Sequence, residues 1–156
     1  MPPWVCRVCR LVMGVALAGG TVGVMNAQTC EADSRCLALR NFFLRYESPL
    51  EKFAQIFVRV ADEHRLDWRL LPAISMVETS GGKHGRSNNV FGWNSGKARF
   101  ASVEAGILYL GSRFGKSRIY AGRTAMGILQ NYNPSRKAYP PKVTRFMLEM
   151  SPVAVE

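Results

Sequence analysis

Glu78 stands seven residues after Leu71 and four after Ile74. On a helix of about 3.6 residues per turn its carboxylate therefore projects from the same face as two aliphatic side chains. A carboxyl group set among apolar neighbours is costly to ionise, which fits it to carry a proton to a leaving oxygen, the part of a general acid. A glutamate at a helix end also serves structure, by bonding backbone amides or by pairing with a cation such as Lys83 or Arg86. Its surroundings decide between the two. Other chemistries are poorly supplied. The two histidines, His64 and His84, form no H-x-x-x-H pair and have no acidic cluster beside them, so no metal site is expected. No glycine-rich loop is placed to cradle a phosphate, and no cofactor is expected.

Four segments follow in order around this glutamate: Ser80-Gly81-Gly82-Lys83, then Asn88-Asn89-Val90-Phe91-Gly92-Trp93, then Phe100-Ala101-Ser102-Val103-Glu104-Ala105, and finally Tyr132-Asn133-Pro134-Ser135. Together they resemble the glucosaminidase family of peptidoglycan hydrolases, whose domain is of the mannosyl-glycoprotein endo-β-N-acetylglucosaminidase type within the lysozyme superfamily. The resemblance runs from about Leu66 to Met150. It implies a mainly α, lysozyme-like domain with a small loop or β-hairpin lobe after the catalytic helix, and an exported enzyme that cuts the glycan strand. It further implies that Glu78 is the catalytic acid, that Tyr132 contacts the substrate, and that Asn89, Phe91, Gly92 and Trp93 lie on the segment shaping the cleft. The chemistry of these types is consistent with that. An indole or phenol face packs on a sugar ring, amides bond its hydroxyl and acetamido groups, and a glycine lets backbone approach a ligand. Phe91 equally suits a core, and Asn88 and Asn89 a turn.

One departure bears on mechanism. Glycosidases commonly pair the acid with a second carboxylate, yet between Thr79 and Val103 there is neither Asp nor Glu. Glu104 is the nearest downstream candidate, although near a helix start it serves equally as a charge on the helix dipole. Otherwise the substrate's own N-acetyl group acts as the nucleophile. A lytic transglycosylase using the same Glu78 is the alternative, and a non-catalytic module that binds wall glycan is a second.

The elements that must position these residues are legible in part. Ser48-Pro49-Leu50-Glu51 predicts a helix start, followed by Leu50, Phe53, Ala54, Phe57, Val58 and Ala61 at helical spacing. Asp67 is the expected cap of the helix that ends at Gly81 and Gly82, with Pro72 expected to bend it or delay its start. Residues 81–100 predict a loop and a small hairpin. Ser102 and Thr124 are expected to cap two further helices, and Pro140-Pro141 to precede a last one bearing Val143, Phe146, Met147 and Met150.

The chain's 156 residues suit one domain, expected over 48–151, after an irregular or weakly helical segment at 28–47. Residues 1–27 resemble a secretory signal: Arg7 and Arg10 precede an uncharged run, Leu11 to Met25, that ends at the small Ala27. Cys6 and Cys9 would leave with it, and Cys30 and Cys36 are expected to form a local disulfide outside the cytoplasm, in the periplasm or at the cell wall. The net charge of +10 draws the protein to anions. No helix-turn-helix, zinc finger or RNA-binding motif argues for nucleic acid. The expected partners are peptidoglycan strands and other anionic envelope polymers, met by a monomer with no membrane span after export.

Overall fold

The computed structural model describes Cys30, residues 33–152 and Val155; the expected signal, residues 1–27, lies outside the described residues. The described chain is mainly helical, and no helix in it is long and apolar enough to cross a membrane.

Order begins earlier than the capping signal at Ser48. The Asp33 carboxylate accepts a hydrogen bond from the Arg35 amide at 2.9 Å and starts α1, Ser34–Arg45, a full helix where an irregular or weakly helical segment was expected. Leu39, Phe42 and Phe43 of this helix are fully buried, and all three belong to the same core as the helices that follow. Arg35 also reaches Asp62 at 2.7 Å, joining α1 to the next helix. Cys30 and Cys36 are disulfide-bonded with their Cα atoms 5.3 Å apart, which secures the chain entering α1.

Ser48 does cap a helical start, accepting from the Leu50 amide at 3.1 Å, with Pro49 in the first position. The first turn, Pro49–Phe53, is a 3-10 helix, and α2 proper is Ala54–His64. Its inner face carries Phe57, Val58, Val60 and Ala61. It lies very close to α4, Val103–Lys116, because Gly111 and Gly115 present no side chain there. A Cβ at Gly111 would overlap Val60 Cγ1, and one at Gly115 would come within 2.7 Å of His64 Cβ.

The glutamate-bearing helix, α3, is Leu70–Thr79. Asp67 acts one turn early. It accepts from the Arg69 amide at 2.9 Å, and Arg69 is the residue at the helix start. The late start answers the problem posed by Pro72, which falls in the first turn, where its missing N–H has no intrahelical acceptor to lose. Every residue from Leu70 to Met76 is buried, so α3 is the central rod of the fold. It ends with Ser80 in the left-handed conformation, φ 53°, and the Gly81 amide turns back to the Ser75 carbonyl at 3.0 Å.

Thr124 caps α5, Ala125–Tyr132, as Ser102 caps α4. The last helix, α6, Tyr139–Met150, contains Pro140 and Pro141 in its first turn and packs along α3. Arg69 fastens the far end of that pair by donating to the Ser151 carbonyl at 3.0 Å.

Candidate active site

The site is built where α3 ends. Glu78 is half-buried on the last turn of that helix, and its neighbour Thr79 locks the helix to the loop that follows. The Thr79 hydroxyl donates to the Val90 carbonyl at 2.6 Å and accepts from the Gly82 amide at 3.0 Å. The lobe over residues 81–100 contains no β-strand. Of the loop and hairpin expected here, the loop is present, a run of turns with a single antiparallel bridge between Arg86 and Asn89 and no hairpin. Non-glycine residues at positive φ explain the difference: Ser87, Asn88, Asn94 and Ser95 all turn left-handed, which breaks any extended ladder.

Two asparagines set the shape of this lobe. Asn89 is 3 % exposed and clamps Trp93 on both sides, its amide oxygen accepting from the Trp93 N–H at 2.9 Å and its amide nitrogen donating to the Trp93 carbonyl at 3.0 Å. Asn88 donates to the carbonyls of Phe100 and Ala101. With its amide spent on backbone, Asn89 does not line the cleft and takes the turn-shaping place and not the ligand-facing one. Phe91 likewise takes the core place and not the cleft. Its ring is fully buried, edge-on to Phe57 with ring centroids 6.4 Å apart, and only its carbonyl faces the site, where it accepts from the Tyr132 hydroxyl.

The other predicted residues do meet. Glu78, Gly92, Trp93 and Tyr132 line one open cleft of about 920 Å³. Gly92 has φ 60°, and a Cβ there would lie 2.8 Å from Glu78 Oε2. The glycine thus admits the carboxylate itself against the backbone, a role different from the expected approach of ligand. Trp93 and Tyr132 pack with centroids 5.7 Å apart, and Tyr109 and Phe100 continue this aromatic wall. Glu104 lies elsewhere. It pairs with Arg59 of α2 at 3.7 Å and does not line the cleft, so it is not the second carboxylate of this site. Among the described cleft residues, Glu78 is the sole acid.

Tyr139, not singled out in the sequence, is brought to the site by the packing of α6 on α3. Its ring stacks on Tyr132, 5.7 Å between centroids and 14° between planes. Its hydroxyl is buried and makes no hydrogen bond of full geometry, and the Glu78 carboxylate acts on it both as a nearby charge and as a hydrogen-bonding group. Burial above all, and then the nearby Tyr132 and Glu78, holds the Tyr139 phenol far above the ordinary range. Burial, with Glu78 next, does the same to Tyr132. Both phenols therefore stay neutral and keep a proton to donate. The local sequence carries no mark of Tyr139's position, because the contact spans α3 to α6.

Three arginines, Arg99, Arg113 and Arg136, complete the cleft's charged lining. Among the described residues no group of three or more His, Cys, Asp or Glu is arranged to hold a metal ion. No family model matches the chain, and no curated protein matches its sequence significantly.

Proposed function

We propose that this protein is an exported peptidoglycan hydrolase of the endo-β-N-acetylglucosaminidase type, with a lysozyme-like arrangement in which Glu78 is the general acid. The observation that carries the reading is a solitary carboxylate, seated on the end of a buried helix, opening into an aromatic-walled cleft large enough for several sugar rings. The motif order around it, resembling the glucosaminidases, supports the same substrate.

Glu78 gives its proton to the glycosidic oxygen as the bond from that oxygen to the anomeric carbon breaks. With no second acid in the cleft, the substrate's acetamido oxygen closes on the anomeric carbon and forms a cyclic intermediate. Water then opens it, and the Glu78 carboxylate takes the water's proton. The neutral Tyr139 hydroxyl is suited to meet the carboxylate while it is charged, and Tyr132, held through the Phe91 carbonyl, and Trp93 receive sugar faces.

The lone acid also favours one competing reading, lytic transglycosylation, in which the sugar's own hydroxyl replaces water and leaves an anhydro end. Digestion of purified peptidoglycan followed by mass spectrometry separates the two. A reducing N-acetylglucosamine end is expected. An anhydro-muramic end assigns the transglycosylase instead, and no release from folded protein leaves a glycan-binding module. Undiminished cleavage by Glu78→Gln would remove Glu78 from the acid's role.

A further inference from the structure

The cleft is an unusual electrostatic environment for a neutral sugar. Against the single acid, Glu78, it carries three guanidinium groups: Arg99 from the lobe, Arg113 from α4 and Arg136 from the turn between α5 and α6. All three are exposed. The arginines elsewhere that touch a carboxylate are Arg35, Arg40, Arg59, Arg69 and Arg145. None of the cleft three has an acidic partner among the described residues, and Arg99 donates only to the Ser87 hydroxyl at 3.1 Å.

Three separate elements thus converge uncompensated positive charge on one concavity. Placing like charges together costs stability, and a concave wall of low dielectric focuses their field on whatever enters. Guanidinium forks match carboxylates two bonds at a time.

From this juxtaposition we propose that Arg99, Arg113 and Arg136 form a carboxylate-reading rim, which makes the preferred substrate an acidic glycan, one whose sugar chain carries carboxylate-bearing substituents, and disfavours the equivalent neutral polymer. The proposal rests on the reading of the cleft as a saccharide site and names the substrate class for it. Trp93 and Tyr132 hold the sugar faces while the rim holds the appended carboxylates, so polymer charge sets affinity and register and Glu78 alone performs the proton transfer.

The test uses one polymer in two charge states: purified peptidoglycan, and the same preparation with its carboxyl groups converted to neutral amides by carbodiimide coupling. Two readouts are taken, cleavage kinetics of the native protein and co-sedimentation of the Glu78→Gln variant with each polymer. Neutralising the polymer is expected to raise KM roughly tenfold and to weaken co-sedimentation alike, with kcat little changed, the size anticipated for three solvent-exposed charge pairs. The variant Arg99→Gln/Arg113→Gln/Arg136→Gln is expected to treat both polymers equally. A control, Lys52→Gln/Lys83→Gln/Arg118→Gln, removes the same charge from exposed positions outside the cleft and is expected to keep the discrimination. Equal KM and equal co-sedimentation for the two polymers would overturn the rim, as would a control that loses discrimination as fully as the cleft variant. If nothing is cleaved but Glu78→Gln still prefers the acidic polymer through these arginines, the hydrolase reading falls and the rim stands. Cleavage without charge preference is the reverse case. Because none of the three cleft arginines has an ion-pair partner to lose and their mutual repulsion is relieved, the thermal midpoint of the triple variant is expected to stay level or rise, and this measurement guards against misfolding.

Discussion

Residues 30–78 and residues 79–150 handle charge in opposite ways. The first region holds seven lysines and arginines against eight acidic residues. It pairs them, Arg35 with Asp62 and Arg40 with Glu51 across elements, and Arg35 with Asp33 and Arg69 with Asp67 at helix starts. The second holds twelve cations against two acids, and both acids are taken, Glu104 by Arg59 and Glu149 by Arg145. The first region also holds a chain of packed rings, Phe42, Phe43 and Phe57, which reaches the lobe through Phe91. Balanced charge and dense apolar contact belong to the part that holds Glu78 still. Unbalanced charge belongs to the part that lines most of the cleft, where the acidic ligand we propose would offset its repulsion.

Substitutions on either side of this divide should separate activity from stability. Glu78→Gln is expected to lower kcat by about 10²–10⁴-fold, the range for loss of a general acid, while the thermal midpoint stays level or rises. A fall in midpoint as large as the activity loss would erase the division. Phe42→Ala lies on the other side. It removes a fully buried ring and is expected to cost about 3–5 kcal/mol in denaturant unfolding, with specific activity retained by whatever fraction remains folded.

Gly92→Ala tests the seam between the regions. The added methyl meets Glu78 Oε2, and the left-handed backbone there disfavours any side chain by about 1–2 kcal/mol. An activity loss of about tenfold, exceeding the effect on substrate binding, is expected. Unaltered kcat would show that Glu78 does not depend on the close backbone.

The smallest effect is alkaline. Burial raises the Tyr132 and Tyr139 phenols above their ordinary value, so below about pH 10 both folded and unfolded chains hold these protons and the stability is complete. As pH climbs past about 10, unfolded phenols ionise and the buried ones do not, which draws the equilibrium toward the unfolded chain. The thermal midpoint should decline through that range, and less steeply for Tyr139→Phe. Ultraviolet titration should show two of the five tyrosines ionising only with unfolding. Early, reversible ionisation of all five would contradict the burial assigned to them.

The helices that could be read from sequence are those with a local start signal. Ser102 and Thr124 each cap as expected, because the bond from hydroxyl to amide spans only three residues. The helix α1 was obscured although Cys36, Leu39 and Phe43 have helical spacing, since exposed Leu37 and Leu44 blur the apolar stripe and make the segment look unpatterned. At the site, Glu78, Gly92, Trp93 and Tyr132 were legible as motif residues. For Asn89 and Phe91 the motif leaves cleft, turn and core open, because motif membership does not say which face of a turn a side chain takes. Tyr139 and the three cleft arginines depend on packing between distant segments, which no local pattern encodes.

The clamps that Asn88 and Asn89 place around the lobe have a consequence for how such a protein changes over generations. The arc from Asn94 to Ala98 is bracketed by the Asn89 amide holding Trp93 on one side and by the Asn88 side chain and the Ser87 carbonyl holding Phe100 on the other. Its flanks, Trp93 and Phe100, are held by side chains and backbone outside the arc, while Gly96 and Ala98 bond back to Gly92 and Trp93 at its base. Insertions at its tip, around Ser95, that keep those base bonds can lengthen the wall of the cleft while the clamped flanks and the core stay as they are.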